Sequence, residues 1–136
     1  MQSYRLRLML AWVVGGGLVL TVMILQTSLG HYGDDAEAAW QWLIPNLVPS
    51  LTLVLGVSAF TKPEPVDMPS GMKPLFLVCM AMSIFYLLVL ALPILIQPMV
   101  GTAPLPLLHQ SNLWLGPLQG LASSLLGVFF AREKAN

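Results

Sequence analysis

Charge is what this chain has least of. Lys and Arg number six and Asp and Glu six, together 9% of 136 residues, while hydrophobic residues reach 57%. Soluble domains carry roughly 25% charged and about 45–50% apolar residues. A chain of this size folding in water could not cover so much apolar surface, so the bilayer must serve as its solvent. Net charge is zero, which leaves no basic surface suited to nucleic acid. The single cysteine, Cys79, sits inside an apolar run. That excludes an intrachain disulfide and a cysteine-rich metal site.

Ionisable groups are also missing from the apolar runs themselves. Apart from Arg7 at the edge of the first run, no Asp, Glu, Lys, Arg or His falls within the four spans assigned below. Such groups at membrane depth mark ion coupling, proton relays or substrate counter-charges, so a proton-coupled exporter or antiporter is disfavoured. There is no Ser/His/Asp set at membrane depth, no HExxH and no Gly-rich phosphate loop. No catalytic residue, cofactor or metal is expected.

What is present falls into four apolar runs of about 20 residues, each roughly 30 Å long as a helix and so matched to a hydrocarbon core. They predict transmembrane helices over 6–27, 39–61, 74–97 and 112–131. Arg5 and Arg7 precede the first run, Lys62 and Lys73 separate the second from the third, and Arg132 and Lys134 follow the fourth. The two other connections hold no Lys or Arg. This is the positive-inside pattern. The expected fold is a single-domain, all-α membrane protein with four helices in an antiparallel bundle and both termini cytoplasmic, in a bacterial inner membrane. The run Leu8–Leu25 is longer than the h-region of about 7–15 residues in a signal peptide. No small-x-small site follows in Gln26-Thr27-Ser28-Leu29, so the run is assigned as a membrane helix.

Trp40, Trp42 and Trp114, with Tyr32 nearby, fall at one predicted boundary, as an aromatic belt would. The 61–72 connection carries Pro63, Pro65, Pro69 and Gly71, which predicts an extended, stiff link. The 98–111 connection is uncharged and apolar, and it is expected to lie in the interface or fold over the helix ends.

The fourth span carries Gly116, Gly120, Ser124 and Gly127 at steps of four, four and three, with Gln119 and Ser123 beside them. Lipid provides no hydrophobic drive between helices, so close backbone approach along small residues supplies the packing. The plain reading is a helix contact within one chain. The sharper one is a subunit interface or pore lining. In the second span Pro45 and Pro49 each remove a backbone donor, which would free the carbonyls of Gln41 and Pro45. With Asn46 and Ser50 alongside, such a kink could line a wet cavity. The simpler reading starts the helix near Pro45. Gly15, Gly16 and Gly17 in the first span weaken helix propensity by up to about 1 kcal/mol each, and tight packing against a neighbour is the expected compensation. His31 and His109 lack metal-ligand spacing and are assigned as polar loop residues.

By size and helix number the chain resembles the small multi-helix effectors of prokaryotic defence systems, whose membrane parts oligomerise and depolarise the cell. That resemblance implies self-association and a pore. Three function classes are weighed. The first is a non-enzymatic, self-associating membrane module that forms a pore or channel. The second is a non-conducting anchor or accessory subunit of a larger complex, bound to a membrane or cytoplasmic partner. The third is a carrier of lipid or another hydrophobe, with the 98–111 segment as a lid.

Overall fold

A computed structural model describes residues 4–60, 70–101 and 104–135. Among them the chain is helical throughout: α1 (Tyr4–Ser28), α2 (Ala36–Phe60), α3 (Met72–Val100) and α4 (Pro104–Ala135), with one 3-10 turn at Gly33–Asp35. All four helices are long and apolar enough to cross a membrane. The stiff link expected at 61–72 falls mostly outside the described residues, which resume at Ser70.

The helices are longer than the apolar runs. Residues 98–111 are mostly helix: α3 continues to Val100, Gly101 reverses the chain at φ 63°, and α4 begins at Pro104. A left-handed residue at a helix C-terminus suits glycine, which lacks a Cβ. The expected apolar loop is therefore the first turns of α4. Its hydrophobicity has a packing cause, since Leu108 and Ser111 are buried. Similarly, α2 does not start near Pro45 but runs unbroken from Ala36 through both prolines.

α1 ends in a Schellman motif. Gly30 (φ 72°) donates to the Thr27 carbonyl at 3.0 Å and His31 to the Gln26 carbonyl at 3.0 Å. These bonds satisfy carbonyls that the helix end would orphan, and they fix where His31 points.

Around the bundle the helices follow the order α1, α2, α4, α3. α1 packs on α2 and α3, and α4 packs on the same two. Paired residues give the directions. Tyr4 stacks on Phe76, Trp12 bonds Ser83 and Gln26 bonds Ile94, so α1 and α3 climb together. Trp42 with Ser111 and Ser50 with Ser123 show α2 and α4 doing the same. Arg5 with Ser58 and Trp40 with Thr27 run oppositely, as do Cys79 with Leu125 in the α3–α4 pair. Two of the four neighbouring pairs are thus parallel, because the chain passes from α2 to α3 across the diagonal.

One end of the bundle gathers Arg5, Arg7, Lys73, Arg132 and Lys134. The opposite end holds the α1–α2 and α3–α4 turns. The interior is mainly apolar, with Trp12, Met23, Leu43, Leu90, Leu126 and Phe129 fully buried, and it also encloses Asn46, Ser50, Ser83, Gln97 and Ser111. The outside is apolar as well: Leu18 and Leu88 are each 63% exposed. A surface of that kind requires lipid.

Candidate functional site

Neutral polar groups at membrane depth are costly unless they are hydrogen-bonded. Here they converge on the α2–α4 contact. Trp42 Nε1 donates to Ser111 Oγ at 3.1 Å, Asn46 Nδ2 to Asn112 Oδ1 at 3.1 Å, and Ser50 and Ser123 share a bond of 3.2 Å. Gln119 Nε2 donates to the Pro45 carbonyl at 2.8 Å. In a regular helix that carbonyl would accept from residue 49, and Pro49 has no N–H to give. The adjacent Asn46 carbonyl accepts the Tyr86 hydroxyl from α3, which ties the diagonal helix to the same stretch of α2.

A second proline is served in the same manner. Pro98 leaves the Ile94 carbonyl without its helical donor, and Gln26 Nε2 of α1 supplies one at 2.9 Å. The Tyr32 hydroxyl donates to Gln26 Oε1 at 2.6 Å, which orients the amide, and His31 Nε2 bonds Gln97 Oε1. Burial of Tyr32 pushes its phenol up to about 12. On the α1–α3 contact, Trp12 Nε1 donates to Ser83 Oγ at 3.0 Å. Among the described residues no buried side-chain nitrogen or oxygen lacks a partner.

The expected site residues therefore divide. Pro45, Asn46, Pro49 and Ser50 lie within continuous α2, where Asn46, Ser50 and the Pro45 carbonyl are hydrogen-bonded within the chain. Gln119 and Ser123 of α4 supply two of those partners. Gly116, Gly120 and Ser124 are exposed, and a Cβ added at Gly116, Gly120 or Gly127 would meet nothing within 4 Å. Among the described residues the small-residue stripe is not a helix contact within the chain. α4 packs inward through Leu115, Ala122, Leu126 and Phe129 instead, on a face well rotated from the stripe.

The glycine triplet also separates. A Cβ at Gly15 would come within 2.6 Å of Leu87 Cδ1 on α3, and one at Gly16 would touch Leu47 and Leu51 on α2 at 3.5–3.8 Å. Gly17 faces open space. Two neighbours are thus received on adjacent positions of α1, and the third glycine contributes no contact. Trp42 departs from the belt expectation: it is 4% exposed, and with Tyr32 at 2% it belongs to the interior. Trp114, at 38%, stays on the surface.

Gln26, Gln97, Ser83, Tyr86, Ser111 and Asn112 were not among the residues singled out in the sequence. Only Gln26 had a readable signal, since Pro98 frees the Ile94 carbonyl and the Gln26 amide serves it; the partners of the others are set by packing alone. Comparison with family models, with curated proteins and with solved structures finds no match for this chain.

Proposed function

We propose that this protein is a non-enzymatic membrane module that self-associates through α4, with its basic end and both termini in the cytoplasm of a bacterial cell. The observation that carries this reading is the bare face of Gly116, Gly120 and Ser124, which none of the described residues of the chain's other helices covers. Three small residues in register allow a second helix backbone to approach closely, the main source of helix association in lipid. A head-to-tail contact through this face closes into a ring when its rotation permits. As an effector the ring would conduct along its axis, and Ser124 is the polar side chain on that face. Gln119 and Ser123, offered by the sequence as pore lining, are engaged with α2.

The test is the oligomeric state of the full chain in lipid nanodiscs, wild type against Gly120→Leu. A bulky side chain at the approach point should convert the assembly to monomer, and retained assembly would show that another face is used. Dye release from liposomes by the wild-type oligomer tests conduction separately.

One observation favours the second reading, a non-conducting accessory subunit. The neutral polar groups at membrane depth are largely spent inside the protomer, which leaves little to wet a pore. In that case the α4 face binds the helix of a different protein. Co-purification of a partner at fixed stoichiometry in mild detergent, with no dye release, supports it.

A further inference from the structure

We infer that the groove between α1 and α3 is a binding site for a single lipid acyl chain. It lies on the opposite side of the bundle from the α2–α4 polar contact and does not involve the exposed face of α4. Its walls come from the parallel pair, from Ala11 to Val22 on α1 and from Ile84 to Leu95 on α3, and every lining side chain is apolar.

The dimensions select the occupant. The walls extend about 16 Å at 1.5 Å rise per residue, close to the half-thickness of a hydrocarbon core of about 30 Å. The cavity volume is about 490 Å³, so its mean cross-section is about 30 Å² over that length. A polymethylene chain, with carbon atoms in contact at about 4 Å, fits. The notch exists because α1 carries Ala11 and Gly15 where it faces α3, and because α3 answers with Ala91. Larger residues at those positions would close it.

The groove also changes character at one end in the way an amphiphile does. Ile94 lines its wall, while the Ile94 carbonyl accepts from Gln26, and Gln97 and His31 bond each other one turn farther along. An apolar groove that ends close to the hydrogen-bonded Gln26, Gln97 and His31 suits a lipid whose chain descends between the helices and whose polar end stays level with those residues.

The experiment uses the full chain in phosphatidylcholine vesicles containing a lipid with a diazirine near the middle of one acyl chain. After illumination, adducts are mapped by peptide mass spectrometry. The expected result is labelling concentrated on 11–22 and 84–95, several-fold above that at the exposed Leu113 and Leu121 of α4. Ala91→Phe, which fills the groove, should remove the excess and leave α4 labelling unchanged. Should that variant fail to fold by circular dichroism, Val14→Trp blocks the other wall from a position already 58% exposed. Labelling of the groove no higher than that of α4, or unaltered in a folded filled variant, would overturn the assignment. So would efficient disulfide formation between protomers of Leu18→Cys, since a second copy would then occupy this face.

Discussion

Gln119 of α4 reaches the carbonyl of Pro45 at 2.8 Å, the oxygen that Pro49 leaves without its helical donor. The two halves of this contact come from helices far apart in sequence. Neither is well served at membrane depth alone: the carbonyl would be orphaned by the proline, and the amide would face lipid without a partner. Together they satisfy both groups without water.

This coupling can be measured. Gln119→Met should destabilise the bundle by about 1 kcal/mol, between the average of about 0.6 and the maximum of about 1.7 kcal/mol for interhelical hydrogen bonds in membranes. In a Pro49→Ala background residue 49 regains its N–H and serves Pro45 itself. The same Gln119→Met change should then cost well under half as much. Unfolding in mixed micelles, read as a double-mutant cycle, gives both values.

The Trp12–Ser83 bond predicts an asymmetry. Trp12→Phe removes the donor and leaves a hydroxyl that can turn to a backbone carbonyl, at a cost of about 1 kcal/mol. Ser83→Ala leaves a fully buried indole N–H with no acceptor, and that orphan costs about 1–3 kcal/mol. Thermal midpoints in the same detergent should rank wild type above Trp12→Phe and Trp12→Phe above Ser83→Ala.

The glycine triplet should respond in opposite senses. Gly17 faces open space, so Gly17→Ala gains helix propensity of up to about 1 kcal/mol and should raise the midpoint. Gly15→Val drives a branched side chain into Leu87, and overpacking of this kind costs about 1–3 kcal/mol. Equal effects of the two substitutions would mean that α1 does not meet α3 at Gly15.

Tyr32 gives a pH dependence. Its folded-state pKa is raised to about 12 by burial, above the unfolded value of about 10. Between these values the folded state holds a proton that the unfolded state releases, so stability is complete below pH about 10 and falls as pH rises toward 12. Tyr32→Phe removes this residue's share of the alkaline decline, while losing the bond to Gln26 at neutral pH. Urea-assisted unfolding across pH 8–12 would resolve the two effects.

Much of the architecture was legible before any coordinate. Four apolar runs cannot fold in water, and clustered basic residues grouped the helix ends that the structure brings together. The freed carbonyl of Pro45 was also readable, because Pro49 lacks an N–H whatever its surroundings. Helix lengths were less legible. Hydropathy marks where lipid is tolerated, whereas α4 continues from Ser111 back to Pro104 because its first turns pack on α2 and not because they are needed to span.

What the sequence alone determined is the composition of the solution: helices, four of them, long enough for a bilayer, with neutral polar groups as the available hydrogen-bonding partners. Those follow from transfer energies and covalent geometry, which are local. The tertiary structure decided which groups meet. Only the order α1, α2, α4, α3 places Gln119 against Pro45, gives Gly15 and Gly16 to different neighbours, and leaves Gly116 and Gly120 bare. A small-residue stripe has the same local energy whether it faces its own chain or another. The remaining contacts of the bundle choose between those two, and they turn the stripe outward.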